Sequence, residues 1–160
     1  MIRKITAADA DFIYSLYMHP EVNPWLLYEM MDEKSFRSIF DDLLARNIIY
    51  IFSAAGNDVG MFKLIREEHR NAHQAYLGGV AVHPAFAGKG YGRQMMEEAI
   101  ALGKTWRLKR IELSTASING AAIALYKKMG FEQEGVLRKF TYLKAENKFL
   151  DEIMMSYLYE

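Results

Sequence analysis

The stretch Val80-Ala81-Val82-His83-Pro84-Ala85-Phe86-Ala87-Gly88-Lys89-Gly90-Tyr91-Gly92-Arg93 runs from an apolar, β-branched segment through a proline and three alternating glycines into an amphipathic helical pattern. Strand, glycine-rich turn and helix start, in that order, make an anion site. The first helical N–H groups have no intrahelical acceptor, the helix macrodipole is positive at that end, and glycine lets a phosphate approach the main chain. The turn reads as the seat of a coenzyme pyrophosphate. Alone it does not say which coenzyme.

Upstream, Ile2 to Thr6 reads as a strand, and Thr6 as the N-cap of a helix carrying Phe12, Ile13, Leu16 and Tyr17 on one stripe. His19-Pro20 and Asn23-Pro24 stop that helix, because a residue before proline avoids the helical region. Trp25 to Met31 is apolar for a loop, so it reads as a core-covering connection, one wall of an acceptor pocket, or a dimer contact. Asp32 caps a second helix with Phe36, Ile39, Phe40, Leu43 and Leu44 at core-facing spacing. Ile48 to Phe52 is an apolar run suited to a strand buried on both faces, Val59 to Arg66 its hairpin partner, and Gln74 to Val82 the strand entering the glycine turn.

Downstream, Met95, Met96, Ala99, Ile100, Leu102 and Trp106 mark the inner face of a helix, and Ile111 to Thr115 a strand. Asn119 opens another helix that Gly130 ends, and Phe131 to Leu143 with Phe149 to Tyr159 make two long strands. The order strand-helix-helix, three strands, helix, strand, helix, two strands predicts an α/β (α+β) fold: a mixed, mostly antiparallel sheet of about seven strands flanked by helices.

Composition bounds the function. The 160 residues suit one domain, residues 1–160, with a real core. Lys+Arg and Asp+Glu both number 20, which argues against nucleic-acid binding by bulk charge. The absence of cysteine excludes disulfides, thiolate nucleophiles and cysteine-based zinc sites, and four histidines without ligand spacing leave no expectation of a metal. Met1-Ile2-Arg3-Lys4-Ile5 lacks the apolar run of a signal peptide and no stretch approaches membrane-span length, so the default expectation is a cytoplasmic protein without a membrane partner.

Three motif classes place glycines at a strand-to-helix turn. A phosphate-binding loop of the Gly-x-x-x-x-Gly-Lys-Ser/Thr type fails, because no Lys-Ser/Thr follows. A dinucleotide fingerprint fits poorly, since the spacing is Gly-x-Gly-x-Gly and the motif lies mid-chain after a meander. Residues 75–131 instead resemble the GCN5-related N-acetyltransferase superfamily, whose signature is Gln/Arg-x-x-Gly-x-Gly/Ala after a strand ending Val-x-Pro; here it is Ala87-Gly88-Lys89-Gly90-Tyr91-Gly92. A second element, Asn-x-x-Ala-x-x-Leu-Tyr-x-x-x-Gly-Phe, is matched by Asn119, Ala122, Leu125, Tyr126, Gly130 and Phe131. Ala87 departs from the usual Gln or Arg, so a cradle here relies on backbone, with Lys89 or Arg93 able to add charge.

The resemblance implies an acyl-CoA N-acyltransferase-like sheet in which the strand ending at Val82 splays from that of Ile111 to Thr115. Acetyl-CoA, the acyl donor, would lay its pantetheine arm against the backbone of Val80 and Val82 and its pyrophosphate on Gly88 to Arg93, with Asn119 as a further contact. Tyr126 would be the general acid that protonates the departing thiolate. The base is open: Glu112 is the first candidate, as base or amine anchor, with His73 and Glu29 as further options. Asp151 and Glu152 read as solvated charges near the acceptor mouth, and Lys127 and Lys128 as a solvated helix face. The acceptor implied is a small amine, an amino acid or a protein N-terminus, acetylated by direct attack. A homodimer is compatible with the apolar segment Trp25 to Met31 and the long final strands. The rival readings are an acyl-CoA-binding sensor without turnover and a nucleotide-dependent oxidoreductase.

Overall fold

The computed structural model describes all 160 residues. Its elements are β1 (Ile2–Lys4), α1 (Ala10–Tyr17), α2 (Glu33–Arg46), β2 (Ile49–Ala54), β3 (Asn57–Arg66), β4 (Gln74–Val82), α3 (Tyr91–Thr105), β5 (Arg110–Ala116), α4 (Gly120–Lys128), β6 (Glu132–Leu143) and β7 (Lys148–Leu158), joined by turns and short 3₁₀ segments. The seven strands form one sheet in the order β1-β2-β3-β4-β5-β7-β6, antiparallel throughout except for the pair β4–β5. This is the mostly antiparallel α/β sheet that the apolar patterning predicts.

Alternation along β2 and β3 supplies two cores. Tyr50, Phe52, Phe62 and Leu64 point to the face covered by α3 and α4, where Met95, Met96, Ala99 and Tyr126 join them. Ile49, Ile51 and Met61 point the other way, against Ile13, Leu16 and Tyr17 of α1 and Phe36, Phe40 and Leu43 of α2. Each such side chain, fully buried, contributes about 1.5–3 kcal/mol. The strand Ile49–Phe52 is buried at every position, as its unbroken apolar run requires.

The helix ends follow their cap chemistry. Asp32 accepts from Ser35 N–H at 2.7 Å and starts α2. Thr6 opens a 3₁₀ turn ahead of α1 rather than α1 itself, and Asp9 accepts the Thr6 N–H at 2.7 Å. The Arg3 guanidinium clamps the same carboxylate with two bonds of 2.9 Å and holds it below the usual carboxylate range. These bonds fix the short edge strand β1 to the start of α1.

Two irregularities shape the centre of the sheet. In β4, register slips between Met61 and Lys63 of β3, and Gly79 in the bulge has φ +57°, a conformation that favours glycine. In β6, the ladder to β7 slips between Leu137 and Thr141, with Lys139 at φ +50° and its N–H donating to the Asp151 carboxylate at 2.7 Å. Both bulges lie beside the same cavity.

A polar cluster closes the opposite end of that sheet face. Arg110 donates to Glu112 at 2.9 Å and to Glu134 at 2.8 Å, and Ser156 also donates to Glu134. Arg110, and then Ser156, hold the Glu134 carboxyl down at about 2, from an ordinary 4.5. A depressed carboxyl stabilises the fold above its ordinary value and loses that contribution as pH falls. Melting temperature is therefore expected to drop as pH falls from about 4.5 towards 2. In Glu134→Gln that dependence flattens, by a small amount because solvent screens an exposed pair.

Candidate active site

β4 and β5 pair only through Gln74–Arg110, Ala75–Ile111 and Tyr76–Glu112. Beyond Tyr76 the two strands part. The register slip in β4 turns the chain away, and β5 stays fully paired with β7 as far as Ala116 and Glu152. The gap opens into a cavity of about 540 Å³ that passes through the sheet, with Gly78–Val82 on one side, Leu113–Thr115 on the other and Tyr126 at one end. β4 thus presents main-chain groups that no neighbouring strand takes up on that side, which suits strand-like addition of an extended ligand. Val80 and Val82 lie on this lip, half-buried against the α3–α4 core.

The glycine turn stands at the mouth of the gap, next to Ala87. Gly88 and Gly90 have φ of +75° and +77°, and a Cβ on either would point into open space. From Gly88 to Arg93 no backbone N–H meets a backbone or side-chain acceptor. α3 begins at Tyr91, so its dipole adds to this row of free donors. Arg93 is tied to Glu97 by an ion pair of 2.9 Å, and the Lys89 ammonium lies 5.8 Å from the Phe86 ring centre. An anion here would be held chiefly by main chain.

α4 delivers two further residues. Asn119 caps it, accepting from Ala122 N–H at 3.3 Å, and lines the cavity as well. Tyr126 packs its ring against Phe131 and is 7% exposed. Its hydroxyl takes no protein partner and is not among the enclosed polar atoms, so it opens on the cavity. Burial, with the Tyr76 phenol beside it, pushes the Tyr126 phenol well above its ordinary range and keeps it protonated.

The acid in the cavity is not Glu112. That carboxylate lies outside the lining, paired with Arg110 at 2.9 Å at the closed end where β4 and β5 still meet. His73 is exposed at the start of β4, and Glu29 accepts the Lys144 N–H at 3.2 Å; neither lines the cavity. Glu152, read from sequence as a solvated charge, is half-buried at the open end and faces in. It accepts hydroxyl donors from Ser114 and, at 3.0 Å, from Thr141. The β6 bulge, held by Asp151, is what turns Phe140 and Thr141 over the cavity. Lys127 and Lys128 are exposed, as expected.

On the acceptor side the segment after α1 forms a wall through Trp25, Leu26 and Leu27. Asn23 anchors it, donating to the carbonyls of Tyr17 and Tyr28 at 2.8 Å each. Lys63 and Tyr17 also line this end, and sequence patterning alone does not single them out. For Lys63 a signal does exist: it is the one charge in the apolar run Val59–Ile65. For Tyr17 there is none, since its stripe is that of an ordinary core tyrosine.

A sheet that parts around a cavity, with a row of free amides at its mouth, defines a fold for gripping an extended, anion-bearing ligand between two strands. Residues 10–131 match the model of the Acetyltransferase (GNAT) family, and the chain belongs to that family. It is 33% identical to the L-amino acid N-acetyltransferase AaaT of Escherichia coli over 93 residues, 57% of each chain. It is 28% identical to N-alpha-acetyltransferase 30 of Saccharomyces cerevisiae over 81% of its own length and 66% of the relative's. The chain thus spans between half and two thirds of these two relatives. Among solved structures, the spermidine N-acetyltransferase of Vibrio cholerae in complex with CoA and spermine superposes with a TM-score of 0.84 at 22% identity, covering 99% of this chain and 94% of the other. The ribosomal-protein-alanine N-acetyltransferase of Brucella melitensis gives 0.80 at 21% identity over 99% of both chains.

Proposed function

We propose that this protein transfers the acetyl group of acetyl-CoA to a primary amine by direct attack in a ternary complex. The observation that carries the reading is the parting of β4 from β5 beside a row of free amides, with a protonated phenol and a carboxylate facing each other's space in the gap. The pantetheine arm of the donor would lie along Val80 and Val82, and the Gly88–Arg93 amides would take its pyrophosphate. Glu152, directly or through a water, takes a proton from the acceptor amine. The amine nitrogen then forms its bond to the acetyl carbon as the carbon–sulfur bond breaks. Tyr126 supplies the proton that the departing sulfur needs and regains one, directly or through solvent, from the new amide nitrogen, which sheds its second surplus proton, while Glu152 passes its own to solvent. Amide and free CoA thiol are the products, and no cysteinyl acyl-enzyme is required or available.

Release of free CoA, followed across a panel of amines, amino acids and peptides with acetyl-CoA as donor, tests this. Turnover with at least one acceptor is expected. Tight acetyl-CoA binding without turnover on the whole panel would point to a sensor instead. Thermal stabilisation by NAD(P) but not by acetyl-CoA would overturn the reading altogether.

A further inference from the structure

The acceptor end of the cavity holds two polar groups that acetyl transfer itself leaves idle. Lys63 sits on β3 opposite Gly78 and turns its side chain into the cavity. It is 8% exposed, yet it makes no ion pair and no side-chain hydrogen bond. Burial, with the Arg46 charge adding to it, pushes its ammonium below the ordinary range, as befits a cation without a counter-ion. Tyr17 reaches the same place from α1. It is fully buried, and its hydroxyl is the one enclosed side-chain polar atom of the protein without a hydrogen-bond partner.

The two groups converge on the β4 bulge. A Cβ placed on Gly79 would lie 3.1 Å from Lys63 Cε and 3.4 Å from Tyr17 Oη, so the bulge is cut away where they meet. A cation that opens on the cavity without a counter-ion and an enclosed hydroxyl without an acceptor are each costly to leave unpaired. One planar anion satisfies both, giving the ammonium a counter-charge and the phenol an acceptor oxygen. The other charged residues lining the cavity are not that counter-ion. Glu21 is exposed at the rim, and Glu152 is engaged by Ser114 and Thr141.

We propose that Lys63 and Tyr17 are the seat of a carboxylate carried by the acceptor, so that the acceptor is an amino acid and not a polyamine. This assignment rests on the acetyl-transfer reading above and names its substrate class. The cavity then has a cationic end for the carboxylate and an acidic side, at Glu152, for the amine. A polyamine would bring a second ammonium against Lys63, with only the exposed rim carboxylate of Glu21 left to receive it. Trp25, Leu26 and Leu27 wall the same end, giving the acceptor side chain an apolar surface and limiting its size.

The test compares each L-amino acid with its carboxamide and its decarboxylated amine, plus spermidine, by CoA release. For the preferred acceptor, kcat/KM is expected to exceed that of its amide and amine by at least about tenfold. Lys63→Met should lower that acid-to-amide ratio about 10- to 100-fold, mainly through KM. Its melting temperature should not fall, because a buried charge without a partner is removed. Tyr17→Phe should raise KM for the acid by a smaller factor, again without loss of stability. Were these residues merely structural, both variants would melt lower and slow every acceptor alike. Equal or better use of amides, amines or spermidine by the wild type overturns the carboxylate seat alone. No turnover with any acceptor overturns it together with the acetyl-transfer reading.

Discussion

Tyr126→Phe is expected to lower kcat about 10²- to 10³-fold, within the range that a positioned general acid supplies. The loss should fall on kcat while acetyl-CoA binding, read by calorimetry, stays within about twofold. The ring keeps its packing against Phe131, and the missing hydroxyl has no protein partner to orphan, so the melting temperature should hold. The cause is specific to the leaving group. A thiolate expelled into a half-apolar gap needs a proton at the moment the carbon–sulfur bond breaks. The buried Tyr126 phenol still carries its proton at neutral pH and opens on the cavity, where the proposed reaction would place the sulfur. A Phe variant within threefold of wild type would mean that the thiolate departs unassisted.

Glu152→Gln is expected to lower kcat/KM at neutral pH about 10²-fold or more, with a changed pH profile. The isosteric amide keeps shape and removes the proton acceptor. Most amines are protonated at pH 7, so on the proposed mechanism the wild type deprotonates its acceptor, whereas the variant could use only the fraction already neutral. Residual activity of Glu152→Gln should therefore climb with pH through the acceptor's own ammonium pKa, converging on the wild type at high pH. Glu112→Gln serves as the comparison: it breaks the pair with Arg110 at the closed end of the sheet face and should leave that profile's shape alone. An unchanged profile in Glu152→Gln would remove Glu152 from the proposed mechanism.

The contrast between these two acids shows what sequence can and cannot reveal here. Glu112 and Glu152 lie on the same face of the sheet, since Ala116, two steps of alternation beyond Glu112, pairs with Glu152 across β5–β7. Only one of them reaches the cavity, because the gap begins after the Tyr76–Glu112 pair. Where two strands part is a property of sheet register and of a bulge at Gly79, and neither leaves a periodicity in β5 or β7. The Asp151-held bulge near Lys139, which brings Thr141 to Glu152, is equally silent. By contrast, element order was legible throughout, because apolar periodicity and proline or glycine punctuation act within a few residues of each other. The glycine turn was legible for the same reason, as local backbone shape, whereas the Asn119–Phe131 element was legible through its resemblance to a family motif. Tyr17 and Lys63 meet only through tertiary packing, across 46 positions of chain.

The parting of β4 from β5 has a mechanical side. Three paired positions are the whole lateral seam joining the half-sheet β1–β4 to the half-sheet β5–β7. A sheet zipped to the end of both strands would be more rigid and would have no room for a donor. That short seam lies beside the proposed donor site, and a bound pantetheine arm would act as the missing rung of a ladder. On the proposed reading a bound donor would stiffen the join between the two half-sheets, expected as slower amide exchange along β4 and β5 when acetyl-CoA is present.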